Sequence, residues 1–263
     1  MKEYSHIRLE HSGVVRTLVL ARSEVRNAFN AAMIAEITDA LRELSKLDDH
    51  RMLVIAADGP MFCAGADFHW MGSLADANYE ENVEDSRRLY DMFNTLYNYP
   101  RPTIARVQGG AFGGGAGLIA CCDFAVMADT AQIAFSEVRL GLVPSAISPF
   151  VIRKIGETQA REMFLTGTRI SAKRAQEIGM ASRVESIDTL DSGVEFYTKH
   201  LLSGGPLAQK VIKDLLRDVP GKDLRDAKEF TAQIIAAQRV TAEGQEGMQS
   251  FLEKRKPNFN LSE

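Results

Sequence analysis

The 263-residue sequence is short of cysteine, short of tryptophan and without a long apolar run. Its three cysteines, Cys63, Cys121 and Cys122, are odd in number, two are adjacent, and no CxxC pair occurs. That argues against a disulfide framework or a structural zinc, and it points to a reducing, cytoplasmic setting. No stretch approaches the ~20 apolar residues that span a bilayer, so no membrane partner is expected. The start, MKEYSHIRLEH, has no apolar core of a signal peptide. A surplus of positive charge is missing too: the net charge is −4. Phosphate backbones need clustered Lys and Arg, so nucleic acid is not expected as a partner. His6, His11, His50, His69 and His200 are scattered without ligand spacing, and no metal is expected.

What is present is an ordinary globular composition, 45% apolar and 25% charged, in a chain long enough for a large core. Ile7–Glu10 and Val14–Leu20 read as a hairpin about Ser12-Gly13. Asn30 is a candidate cap for a helix whose apolar positions run Met33, Ile34, Ile37, Leu41, Leu44 and Leu47. Met52–Ala57 and Thr103–Gln108 read as buried strands, and Asp123–Ala128 as a third. The polar stretch Met71–Arg88 reads as a loop leading into a helix that ends near Pro100. Leu118–Cys122 reads as helical. From about Ser145 the pattern is almost wholly helical. Pro206 opens one helix, Val219-Pro220-Gly221 ends it, and a last helix covers Ala242–Lys254. The expectation is an α/β core over residues 1–195 followed by a helical region over 196–263.

Three segments carry residues suited to chemistry. Met61–Asp67, MFCAGAD, follows the first buried strand, where open α/β proteins bind ligands; a plain tight turn is the other reading. Gly109–Gly117 holds six glycines in nine residues. Bare backbone there suits either an anion at a helix N-terminus or close helix–sheet packing, while the absence of a following Lys-Ser or Lys-Thr rules out a Walker loop. Ser136–Pro144 places Glu137 among apolar residues, as a candidate acid or base of raised pKa; a surface pair with Arg139 is the alternative. Cys121 and Cys122 read as core thiols, and Ser145 and Ser148 lack the context of a nucleophile elbow.

Taken in order, these segments resemble the crotonase (enoyl-CoA hydratase/isomerase) family over essentially the whole chain. Asn27-Ala28-Phe29-Asn30, FCAGADFHWM over Phe62–Met71, RPTIA over Arg101–Ala105, GGAFGGG over Gly109–Gly115 and FSEVRLGLVP over Phe135–Pro144 all resemble family segments, as does the C-terminal Glu243–Pro257. The stretches AFGGGAGL, SEVRLGLVPSAISPFV and GADFHWM are similar to members described as methylglutaconyl-CoA or carboxygeranoyl-CoA hydratases.

The resemblance implies a β-β-α spiral core with a C-terminal helical trimerisation region, assembled as a homotrimer or a dimer of trimers. It implies an acyl-CoA thioester substrate, with coenzyme A as part of the substrate and no other cofactor. The N–H groups of Ala66 and Gly114 correspond to an oxyanion hole, and Glu137 to a catalytic carboxylate. Val25, Arg26, Ala64, Asp67, Phe68, His69 and Trp70 correspond to positions along the coenzyme A moiety and acyl pocket, and Lys254 (or Lys256) to a phosphate contact. Archetypal hydratases carry a second glutamate where this sequence has Gly117. Hydration of a 2-enoyl-CoA, branched or not, is therefore expected first, with double-bond isomerisation and non-catalytic acyl-CoA binding as alternatives. Asp76, Glu80 and Glu81 are candidates for a second carboxylate, and Arg139 and Arg153 for a cationic partner of a carboxylate on the substrate.

Overall fold

A computed structural model describes residues 2–259. The chain opens with the expected hairpin, β1 (Ile7–Ser12) and β2 (Val15–Leu20), then α1 (Ala31–Ser45), β3 (Met52–Ala57), α2 (Phe68–Asp76) and α3 (Tyr79–Tyr97). There follow β4 (Thr103–Val107), β5 (Ala111–Phe112), α4 (Gly114–Cys121), β6 (Phe124–Ala128) and β7 (Gln132–Ala134). A 3-10 turn, Glu137–Leu140, leads to α5 (Ser148–Thr166), β8 (Ile170–Ser171), α6 (Ala172–Glu177), β9 (Arg183–Glu185) and α7 (Leu190–Leu202). The chain ends in α8 (Pro206–Asp218), α9 (Leu224–Arg239) and α10 (Ala242–Leu252).

The strands form two layers. A six-stranded sheet has the order β1-β2-β3-β4-β6-β9, and a smaller one the order β5-β7-β8. Only β1–β2 is antiparallel in the large sheet. β3 is an almost unbroken apolar run because both its faces are covered. Single bridges continue the small layer backwards along the chain, Cys63 to Ala111 and Phe29 to Ala66, both parallel. Each coil thus lays one strand in the large sheet, one short extended piece in the small layer, and then a helix. That is the expected β-β-α spiral. Among the described residues, no helix is long and apolar enough to cross a membrane.

Several local expectations fail for identifiable reasons. Met71–Arg88 is not a loop: α2 and α3 cover nearly all of it. Asn78 and Glu81 form a reciprocal capping box at the start of α3. Only Met92, Phe93 and Leu96 of this helix are buried, so the rest carries no apolar stripe to reveal it. The helix assigned to Leu118–Cys122 begins four residues earlier, at Gly114. After Ser145 the chain still adds β8, and β9 at the edge of the large sheet. α7, which holds the expected boundary between residues 195 and 196, packs on β4, β6 and β9.

The turn before Asn30 is held by the buried Asn27, in the left-handed region at φ 55°. Its Oδ1 accepts from Arg22 N–H at 2.9 Å, and its Nδ2 donates to the carbonyls of Asp58 and Met61 at 2.8 and 3.0 Å. Asn27 therefore ties the Arg22–Asn30 turn to the end of β3. Asn27→Ala is expected to cost about 3 kcal/mol, combining unpaired polar groups with left-handed strain on a Cβ residue, measured by urea denaturation.

Candidate active site

The parallel bridge between Cys63 and Ala111 fixes two successive coils side by side. Phe112 N–H donates to Cys63 O at 2.9 Å, and Cys63 N–H to Gly110 O at 3.1 Å. Three residues past the bridge the first coil reaches Ala66, and the second reaches Gly114. Both turns need glycine just before those residues. Gly65 has φ 99°, and a Cβ there would lie 3.3 Å from Phe112 O; Gly113 has φ 50° and ψ −117°, a conformation that side chains disfavour. Among the described residues, neither the Ala66 nor the Gly114 N–H has an acceptor. Gly114 is the first residue of α4, where orphan N–H groups and the helix dipole favour negative charge.

The third coil brings Glu137 to the same place. β7 pairs with β5, and Gly113 N–H donates to Ala134 O at 2.9 Å. A Cβ on Gly113 would lie 3.1 Å from Glu137 Oε1 and 3.9 Å from Gly65 Cα. So Glu137, the Gly65–Ala66 turn and the Gly113–Gly114 turn share one small region. The Glu137 Oε2 atom is buried without a hydrogen-bond partner. Burial raises its pKa above the usual carboxylate range. Among the described residues, no ion pair joins it to Arg139, so the surface-pair reading fails.

Position 117 is closed as well as lacking a carboxylate. A Cβ on Gly117 would sit 2.5 Å from Ile147 Cγ2 and 2.9 Å from Phe93 Cε1. Both side chains are buried. Sequence reading did not foresee this wall, although Phe93 sits on the apolar end of α3 and Ile147 lies just beyond the Glu137 segment. Of the other candidate carboxylates, Glu81 caps α3, while Asp76 and Glu80 are exposed. Asp85 was missed. It accepts from the Trp70 indole at 3.2 Å, burial raises its pKa, and it faces a cavity of about 240 Å³ between α1 and α3.

The remaining candidates fall into two groups. Val25, Arg26 and Ala64 come together, with Ala64 N–H donating to Arg26 O at 3.0 Å. Asp67 lies beside them with its carboxylate committed: it caps α2 through His69 N–H and pairs with Arg22 at 3.0 Å. Phe68 is 88% exposed, His69 is exposed and Trp70 is half-buried. Lys254 follows α10 and is exposed, and among the described residues no hydrogen bond or ion pair ties its side chain to this group. Arg139 and Arg153 are exposed and make no ion pair among the described residues. Cys63, Cys121 and Cys122 are buried, as expected of core thiols, and burial holds the Cys63 and Cys122 thiols up at about 12. Among the described residues, no group of three His, Cys, Asp or Glu side chains could hold a metal.

The family model for enoyl-CoA hydratase/isomerase matches residues 10–261. The chain belongs to that family. It is 30% identical over 258 residues to the crotonyl-CoA hydratase of Syntrophomonas wolfei, covering 97% of this chain and 98% of that one. To an enoyl-CoA isomerase/hydratase of Mycosarcoma maydis it is 30% identical, covering 92% and 91%. A crystal structure of an enoyl-CoA hydratase from Shewanella pealeana superposes with a TM-score of 0.94 at 36% identity, covering 97% of this chain and 96% of that one. The architecture is the crotonase fold, and the chain is an enzyme of the hydratase/isomerase class.

Two expectations follow from the geometry. Because burial raises the Glu137 pKa, ionisation at neutral pH works against the folded state. That cost is absent below the unfolded-state pKa and grows as pH rises through the folded one. Glu137→Gln is expected to melt higher than the parent at pH 7, with the difference shrinking towards pH 4, by calorimetry at both pH values. Gly117→Glu is expected to cost about 3 kcal/mol or more, from overpacking against Ile147 and Phe93 and from burying a carboxyl, and not to raise turnover.

Proposed function

We propose that this enzyme adds water reversibly across the double bond of a 2-enoyl-CoA. The observation that carries the reading is the buried, unpaired carboxyl of Glu137 beside two turns with free N–H groups. Glu137 acts on the substrate, and the N–H groups of Ala66 and Gly114 receive the thioester oxygen. When Glu137 in its ionised form takes a water proton, the hydroxyl attacks Cβ and the C=C electron pair moves onto the thioester carbonyl. The resulting enolate oxygen is held by the two N–H groups, each of which contributes about 2.7–4 kcal/mol in comparable sites. The protonated Glu137 then returns its proton to Cα. One carboxyl thus serves both steps, as required where Phe93 and Ile147 occupy the place of a second.

Val25, Arg26, Ala64, Asp67, Phe68, His69 and Trp70 lie along the coenzyme A and acyl path in this reading, with Lys254 at a phosphate. A cavity of about 460 Å³ between α3 and the Ser145–Ala146 turn is the candidate acyl pocket in this reading. Val83, Tyr90 and Ala146 give that cavity apolar surface beside the polar Asn82, Ser86, Arg87, Asp91 and Ser145. Glu137 does not line it.

The same single carboxyl can move a proton from Cα to Cγ, so isomerisation of a 3-enoyl-CoA is the second reading, and the closed Gly117 site favours it. Product mass separates the two. With crotonyl-CoA and branched 2-enoyl-CoA thioesters, hydration adds ~18 Da, the mass of one water, whereas a 3-enoyl-CoA isomerises at constant mass. Glu137→Gln is expected to lower kcat/KM at least ~10²-fold and to keep acyl-CoA binding. Equal measurable turnover in parent and variant contradicts both readings, and acyl-CoA binding without turnover in either leaves a binder. Against pH, kcat/KM is expected to fall on the acid side with a midpoint above the usual glutamate range, because the base must be ionised.

We also propose a homotrimer or dimer of trimers, built through the helical region. Leu216, Leu224, Val240, Phe251 and Leu252 there are strongly exposed in one protomer. Light scattering is expected to give three or six protomer masses, and a stable monomer overturns the proposal.

A further inference from the structure

The far end of α4 is held as firmly as its N-terminus is open. An α-helix of eight residues is ~12 Å long, so a shift at one end reaches the other undamped. At the C-terminal end, Lys154 of α5 donates its Nζ to Cys122 O at 2.5 Å and to Asp123 O at 3.3 Å. Cys122 is the extended residue (ψ 149°) that follows α4 and Asp123 comes next, so the ammonium holds the chain where it leaves the helix. The next residue, Asp123, is a hub. Its Oδ2 accepts from Thr103 N–H at 2.7 Å, from Thr103 Oγ1 at 3.0 Å, and from Lys213 Nζ at 2.5 Å. Lys213 also donates to Arg101 O at 3.0 Å, which ties α8 to the start of β4. A cavity of about 190 Å³ lies against these groups.

The helix needs that support. It has no side-chain N-cap, and Gly114, Gly115 and Gly117 weaken it from within. Lys213 is paired with the Asp123 carboxylate, whereas Lys154 donates to the two carbonyls. Burial pulls the Lys154 pKa down. A costly, inward-turned cation is thus committed to the end of the one helix whose first N–H faces the reacting oxygen.

We propose that Lys154 is a positioning residue: by holding the Cys122 and Asp123 carbonyls, directly after the last residue of α4, it anchors the far end of the helix and sets where the Gly114 N–H meets the thioester oxygen. This rests on the oxyanion reading of Ala66 and Gly114, so the test uses a probe of that site that needs no turnover. Acetoacetyl-CoA loses its α-proton to a base and absorbs in the ultraviolet as the enolate. When it binds an oxyanion site beside Glu137, the enolate band grows, the proton passing to the Glu137 carboxylate.

The full-length parent, K154M and K154R are titrated with acetoacetyl-CoA, and kcat and KM are measured on crotonyl-CoA. K154M is expected to bind acetoacetyl-CoA within about twofold of the parent but to give about tenfold less enolate, since small misplacements of a donor cost rate more than binding. Its kcat is expected to fall by a similar factor with KM little changed. K154R keeps charge and donors and is expected to recover most of both. Should K154M fail to fold, K154Q takes its place with the same expectation. A parental enolate yield in K154M overturns the proposal, as does affinity and enolate falling together with melting temperature without rescue by K154R. No enolate band in the parent overturns it as well. A band in the parent without hydration of any enoyl-CoA sinks the hydratase reading alone.

Discussion

The pairing of Cys63 with Ala111 is the constraint on which the site depends. It is one parallel bridge between two extended pieces too short to be strands on their own. Yet register is discrete: a slip of one residue reverses which side chains face in. With the bridge in place, Ala66 and Gly114 stand equally far along neighbouring coils. The next pairing, Ala111 with Ile133, carries the same alignment to the third coil and delivers Glu137. Three groups far apart in sequence therefore meet because the spiral repeats, and successive coils contribute them at neighbouring points of the repeat. Burial of Cys63 and the small size of Ala111 let the coils approach. A Cβ on Gly115 would already lie 2.7 Å from the Cys63 Cβ.

Electrostatics explains why this meeting place is strained. A carboxyl with a buried, unpartnered oxygen costs free energy in the resting enzyme. Two N–H groups without protein acceptors among the described residues, at the exposed Ala66 and the half-buried Gly114, add a smaller cost that water offsets. Neither cost is repaired internally: Arg139 does not reach across to Glu137, and the position that could hold a second carboxyl is filled by Phe93 and Ile147. In the proposed reading a thioester relieves both at once, since its oxygen accepts from the amides and its reacting carbon or water meets the carboxyl. The site is thus unsatisfied in the way a binding site for a developing oxyanion should be. Filling position 117 with apolar side chains also narrows the chemistry to what one carboxyl can do.

How much of this the sequence shows depends on where burial leaves a pattern. The long strands and α1 are legible because their apolar residues recur with the period of the element. The two turns and Glu137 are legible because small residues in MFCAGAD and GGAFGGG are costly without a reason, and because an acid stands among apolar neighbours. α2 and most of α3 are not legible, since their residues face outward and only Met92, Phe93 and Leu96 mark the helix. The first turn of α4 is hidden by its glycines, which read as loop by propensity and are helical only through packing. The small layer is built from pieces of one to three residues, too short for any period. The closed wall at Gly117 is visible only once α3 and the segment after Pro144 are packed together.

Packing is also what allows α4 to exist at all. Three glycines in eight residues cost about 3 kcal/mol against alanine, and an isolated helix of this length does not form in water. Its stability is therefore borrowed. From Gly115 to Cys121 every residue is buried, so close packing replaces propensity along its length. Just past the C-terminal end Lys154 holds the Cys122 and Asp123 carbonyls, and the Asp123 carboxylate pins this segment to β4 and α8. Only the N-terminal end is left without partners, and the glycines that weaken the helix are what allow Phe29, Phe93 and Cys63 to pack against it at that end. A stronger helix former at Gly114 or Gly117 would gain propensity and lose the approach. The sequence thus trades local stability for a bare helix end, and the core and the α5 and α8 lysines supply the rigidity that the helix itself lacks.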